Sequence, residues 1–211
     1  MPYLFSRRGR LAPGNVVDAM TWAAKITEKV NAISEIPVTL WTTEFSPQVG
    51  TLSWTTVVED LSQLRTLDTK LMADNGYLSL VEEGARYTSD TGLDDGVVSL
   101  IHADPDAVIG EYASVVQAII APGSFVRGIE VGVEIAQRAK AITGQATSFG
   151  ASQTGVYGEV GWIVLYDSVE TLQSANEKLN ANVEFAQYLD EHASKAYMAG
   201  MSNQTIFRKV M

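Results

Sequence analysis

The chain repeats itself. Leu11-Ala12-Pro13-Gly14 precedes a stretch of helical periodicity near the N-terminus, and Ile120-Ala121-Pro122-Gly123 precedes a matching stretch in the second half. At an offset of 109 residues, Val17, Ile26, Ala32 and Ile33 fall on Val126, Ile135, Ala141 and Ile142. One residue is then lost. At an offset of 108, Trp54, Leu64, Lys70, Leu71 and Ala73 fall on Trp162, Leu172, Lys178, Leu179 and Ala181. Self-similarity over such a length means that one supersecondary plan is used twice. Asp104-Pro105-Asp106 reads as the linker, which gives halves of 1–105 and 106–211, each long enough to bury a core of its own.

Residues 2–11 of the first half read as a strand ending at the Ala-Pro-Gly punctuation, with Asn15 placed as a helix N-cap. Val16, Met20, Ala23, Ile26, Val30 and Ile33 then recur every three or four residues, one apolar stripe of a helix that Pro37 ends. Residues 38–45 and 51–58 are rich in β-branched and aromatic side chains and flank a turn, so they form a hairpin. Leu61, Leu64, Leu67 and Leu71 restore helical spacing, which Leu78 and Val81 continue after a break near Asn75-Gly76. A polar stretch with Asp90, Asp94 and Asp95 leads to a closing strand over 97–102. The order is β-α-β-β-α-β.

The second half follows the same plan. Residues 112–120 are strand-like, and Phe125, Ile129, Gly132, Ile135, Ala139 and Ile142 repeat the first helical stripe. Residues 146–153 and 159–167 make the hairpin, and Val169, Leu172, Ala175, Leu179, Ala186 and Leu189 the second helix. Residues 204–211 supply the last strand. The fold class is therefore α+β, two tandem ferredoxin-like repeats. Each is a four-stranded antiparallel sheet with its helices on one face. The opposite sheet faces, left open in each half, can pack together and close a barrel within one chain.

These two units, the helix after Ala-Pro-Gly and the segment Val-Leu-Tyr-Asp-Ser-Val-Glu-Thr-Leu at 164–172 resemble the dimeric α+β barrel superfamily, nearest its antibiotic-biosynthesis-monooxygenase and NIPSNAP-like groups. The resemblance implies a cavity that holds a small hydrophobic or aromatic molecule. It implies cofactor-independent monooxygenase chemistry for an enzymatic member, and it leaves a non-enzymatic stress or assembly protein forming homo-oligomers as the alternative. Haem binding is a third reading, since some members of the superfamily use haem. Haem-degrading members carry a histidine on the second helix with an asparagine on the first strand. Here His192 takes the helix position, but the strand of that half offers Gln117 and no asparagine. No cofactor is otherwise expected.

The candidate site residues follow from aromatic content and from asymmetry. Trp54 and Trp162 occupy equivalent places on the third strand of each half, and Trp41, Phe149 and Tyr166 lie on neighbouring strands. Such residues either line an apolar pocket or fill the core. His192 is the one plausible general base, and Gly84 stands in its place in the first half. Positions where the copies disagree (His192 against Gly84, Tyr166 against Val58, Phe149 against Leu40) point to the second half as the functional one. His102 with Asp104 and Asp106 is a loose cluster for a hard cation, more simply read as an acidic linker, and no metal site is assigned.

Other chemistries are unsupported. The sequence has no Gly-x-Gly-x-x-Gly opening a helix, no Gly-Lys-Ser/Thr phosphate loop and no Gly-x-Ser-x-Gly elbow. Zero cysteines exclude disulfides and thiolate sites. The 25 acidic and 15 basic side chains give a net charge of −10, which opposes nucleic acid and anionic membrane as partners. Arg7, Arg8 and Arg10 form the one basic cluster, read as a solvated strand end. With no apolar leader among residues 1–10 and no spanning segment, a cytoplasmic location is expected.

Overall fold

In the computed structural model, which describes residues 1–14 and 16–211 apart from the side chains of Asp90 and Thr91, the chain divides into two compact units. The first comprises Met1–Val97 with Lys209–Met211, and the second Val98–Arg208. The division by compactness runs through a strand and not through the Asp104-Pro105-Asp106 linker. The N-cap expected at Asn15 lies outside the described residues.

The first unit contains β1 (Tyr3–Leu11), α1 (Val16–Ile33), β2 (Thr39–Glu44), β3 (Thr51–Val58), α2 (Leu61–Met72), α3 (Asn75–Gly84) and the start of β4 (Thr88–His102). β3 pairs antiparallel with both β1 and β2, with Arg7 opposite Trp54 and Trp54 opposite Leu40. Directly opposed residues share a sheet face. Phe5, Arg7, Leu40, Leu52, Trp54 and Thr56 therefore face the helices, while Trp41 and Ser53 point the other way. The core on the helical side joins Trp22, Ala23 and Ile26 of α1 to Leu40, Leu52, Leu71 and Tyr77.

β4 is longer than its sequence suggests. The polar run that reads as a loop is already extended from Thr88. Arg7 grips Asp95 through two hydrogen bonds of 2.7 Å, and the backbone at Gly96 lies so close to Ser6 that a Cβ there would be 2.8 Å from its hydroxyl. A charged partner and a missing side chain let this stretch lie beside β1.

The break between α2 and α3 is set by capping. The Asp74 carboxylate accepts from the Tyr77 N–H at 2.8 Å, satisfying one free donor of the new helix. Asn182 does the same for Phe185 at 2.8 Å, at the equivalent position.

The second unit holds the rest of β4, β5 (Tyr112–Ile119), α4 (Phe125–Thr143), β6 (Thr147–Ser152), β7 (Glu159–Tyr166), α5 (Val169–Ala181), α6 (Val183–Tyr188) and β8 (Asn203–Lys209). β5 lies between β7 and β8, and β6 lies between β7 and β4. Its second helix, continuous in the sequence pattern, is interrupted at Asn182 and then widens to one π-helical turn over Leu189–Ala193. The duplicated Pro-Gly turns are conformationally alike: Gly14 and Gly123 have φ of +88° and +80°, a region that favours glycine. No helix among the described residues is long and apolar enough to cross a membrane.

Candidate functional site

Between sheet and helices of the first unit lies a cavity of about 220 Å³. Its aromatic walls are Phe5 of β1, Trp22 of α1, Trp54 of β3 and Tyr77 of α3. Ile26, Val30, Leu67 and Leu71 complete the apolar lining, and Val81 and Leu93, both about half exposed, stand where it meets solvent.

The two indoles are fixed by their polar edges. Trp22 donates to the Leu80 carbonyl at 2.7 Å, and Trp54 donates to the Thr27 hydroxyl at 2.8 Å. Thr27, fully buried, donates its own proton to the Ala23 carbonyl at 2.7 Å. With both N–H groups satisfied, the rings offer π surface to the cavity. They meet nearly at right angles, with centroids 6.0 Å apart, an arrangement favoured by the ring quadrupoles. Gly84 is required here. A Cβ at that position would sit 2.2 Å from Trp22 Cζ2.

The polar atoms of the lining are few. Thr56 donates to the Pro37 carbonyl at 2.9 Å and Thr88 to the Gly84 carbonyl at 3.3 Å. Arg7, the one charged residue of the lining among the described residues, is held by Asp95, whose hydrogen bond keeps the guanidinium protonated above its ordinary range. Arg7 is thus not a solvated strand end. It stands half-buried at the cavity, 5.8 Å from the Phe5 ring centre.

The equivalent space in the second unit is filled by Phe149. Its ring is fully buried, 5.3 Å from Trp162, and faces Gly132, where a Cβ would lie only 2.1 Å from Cζ. Trp162 donates to the Gly132 carbonyl at 2.8 Å and stands edge-on to Tyr197 at 5.4 Å. Tyr197 donates to the Gly128 carbonyl at 2.6 Å, and burial pushes its phenol well above the ordinary range. Tyr166 belongs to a separate cluster with Tyr112, Leu172 and Ala175, and burial pushes it up to about 12.

The aromatic residues read as one pocket are therefore distributed. Trp54 lines the cavity. Trp41 points to the opposite sheet face and donates to the Thr55 hydroxyl at 2.8 Å. Trp162, Phe149 and Tyr166 pack in the other unit. The cavity lies in the first unit, whereas the disagreements between the repeats point to the second. Trp22, absent from that set, is as central as Trp54. Its signal is its place one turn before Ile26 and beside Ala23, on the buried stripe.

His192 lies on the π-helical turn, its side chain 39% exposed. It stacks on Tyr188 at 4.7 Å, and its Nδ1 is 3.1 Å from an Arg127 guanidinium nitrogen. A guanidinium only donates, so Nδ1 must accept and the ring proton sits on Nε2. Tyr188 donates to Glu134 and lies under Arg138 at 4.0 Å; burial and then Glu134 push its phenol up to about 12. His192 lines no part of the cavity.

A tetrapyrrole exceeds the volume of this cavity, and among the described residues of its lining Tyr77 alone is of a type that serves as an axial ligand. The linker carboxylates Asp104 and Asp106 instead receive the Lys140 ammonium at 2.7 and 2.6 Å.

No protein-family model matches the chain, and no curated protein matches it by sequence. Solved structures do match in fold. A provisionally named monooxygenase of Fusobacterium nucleatum subsp. nucleatum superposes with a TM-score of 0.72 at 8% identity, covering 100% of this chain and 93% of that one. An anthrone oxidase-like protein gives 0.64 at 12% identity, covering 100% and 91%. A haem-binding protein of Thermus thermophilus gives 0.54 at 11% identity, again covering 100% and 91%. The chain has the dimeric α+β barrel fold that these proteins share.

Proposed function

We propose that the protein binds a small aromatic molecule in the cavity of its first unit. The observation that carries this reading is the pair of tethered indoles. Trp22 and Trp54 spend their N–H groups on Leu80 and Thr27, so what they present to the cavity is ring face and edge. At about 220 Å³ the space is below the roughly 300–1,000 Å³ of sites for drug-sized ligands, and it suits one or two rings.

The similarity to the monooxygenase and anthrone oxidase-like structures supports an oxidative reading of the same cavity. Among the described residues no carboxylate or imidazole belongs to its lining. The chemistry it can lend is exclusion of water and orientation of a substrate that supplies its own electrons to oxygen.

Tryptophan fluorescence tests the binding reading. Single- and fused-ring aromatics are expected to quench the protein, and Val30→Phe, which extends a ring into the cavity, is expected to weaken that response at least about tenfold without changing the far-ultraviolet circular dichroism. Quenching that survives Val30→Phe unchanged, or no response to any aromatic, would overturn the reading.

A further inference from the structure

The cavity has one polar corner, where Arg7 and Tyr77 keep donors that no described residue accepts. Tyr77 is 8% exposed and lines the cavity, yet its hydroxyl has no hydrogen-bond partner among the described residues. Open to the cavity, that hydroxyl is free to donate to an acceptor that enters. Arg7 stands in the same lining. Asp95 occupies Nε and one hydrogen of Nη2, so three of its five N–H donors face no protein acceptor. The other hydroxyls of the lining are already committed: Thr56 and Thr88 donate to Pro37 and Gly84, and Thr55 accepts from Trp41.

We propose that the cavity's ligand is an aromatic carboxylate, with its ring against Trp22 and Trp54 and its carboxylate received by the free edge of Arg7 and the hydroxyl of Tyr77. This inference rests on the binding reading above and names the class of ligand. A neutral hydrocarbon would leave the Tyr77 hydroxyl unpaired. An amine would meet the Arg7 guanidinium, a charge of its own sign. A carboxylate satisfies both residues at once, because it is an acceptor with two oxygens and a guanidinium edge matches it in a plane. Asp95 holds Arg7 in place and partly neutralises it, so it limits the affinity for the anion while fixing the orientation of its receptor.

The test uses the full chain and three matched probes: 3-phenylpropanoate, 3-phenylpropanamide and ethylbenzene, titrated calorimetrically. The acid is expected to bind about tenfold more tightly than the amide, as a charge-assisted pair replaces a neutral one. Arg7→Gln should erase that preference, bringing the affinity ratio of acid to amide to about one, and Tyr77→Phe should weaken the acid several-fold. Asp95→Asn should act in the opposite direction and strengthen the acid, a response that a merely structural role for the ion pair would not give. Equal binding of acid and amide in the wild type, or a preference that persists in Arg7→Gln, refutes the carboxylate assignment and leaves the aromatic cavity standing. Failure of all three probes to bind overturns both.

Discussion

Gly132 is expected to be a position where alanine, normally the better helix former, harms the protein. In a helix interior Gly→Ala is worth about 0.8–1.0 kcal/mol of stability when the new methyl meets open space. Here the methyl would lie 2.1 Å from Phe149 Cζ and 2.4 Å from Cε2. Carbon atoms rest at about 3.5–4.0 Å, so the ring must retreat by about 1.4 Å. It has nowhere to go, being fully buried against Trp162. Overpacking of that kind costs about 1–3 kcal/mol and outweighs the propensity gain. The net expectation for Gly132→Ala is a loss of about 1–2 kcal/mol, or a fall in Tm of roughly 2–8 °C for a protein of this length. Phe149→Leu alone should also destabilise, by leaving a void. Together they recreate the pair that the first repeat carries, Ala23 and Leu40, both fully buried there. The double variant should therefore be more stable than the sum of the two single effects by about 1 kcal/mol or more. Thermal unfolding followed by near-ultraviolet circular dichroism, which reports on Trp162, measures all four corners of the cycle. A rise in Tm for Gly132→Ala, or strict additivity, would refute the account of how the second unit fills its core.

Two further outcomes can be checked independently. Gly84→Ala would bring a methyl 2.2 Å from Trp22 Cζ2 and drive the indole out of position. It should weaken aromatic ligands at least about tenfold and cost about 1–3 kcal/mol, and unchanged binding in a fluorescence titration would show that Trp22 does not form the wall. The Asp104 side chain is 1% exposed; burial alone would raise its pKa, but hydrogen bonds from Lys140 and from the N–H groups of Asp106 and Thr147 more than offset that and hold it below the usual value. A carboxylate lowered by folding contributes stability above its unfolded pKa of about 3.9 and loses it as pH falls through the folded value. Urea midpoints should therefore drop at acid pH in the wild type, and Asp104→Asn should be less stable at neutrality but flatter through that acid limb. An acid limb of undiminished slope in the variant would assign the effect elsewhere.

Much of the fold is legible in the sequence because it is written in local signals. The Pro-Gly pairs at 13–14 and 122–123 mark the helix starts, and the strand alternation around Trp54 and Trp162 assigns their sheet face. The break near Asn75 is legible through the turn residues that cap α3. The extension of β4 back to Thr88 is not, because its polar residues are held there by Arg7 and Ser6, far away in the chain. The site is harder to read for a related reason. Trp41 and Trp54 are both aromatic strand residues, but the register between β2 and β3 turns them to opposite faces. Trp22 sits in an ordinary helical stripe, and nothing in that stripe says that its ring meets a glycine on α3.

The repeats differ in where each copy keeps its aromatic bulk. In each unit a large ring lies against a glycine. In the first, Trp22 of α1 rests on Gly84 of α3, so the aromatic bulk comes from a helix and is tied upward to the Leu80 carbonyl. In the second, the position of Trp22 is Val131, and the bulk comes from the sheet as Phe149, seated against Gly132. Bulk delivered from the sheet fills the layer directly above the strands. Bulk held among the helices leaves that layer open, over Trp54 and beside Arg7 and Tyr77. Once Trp22 needs a glycine at position 84, that position has no room for a side chain of any kind. The matching place in the second unit, which has Val131 where the first has Trp22, carries His192.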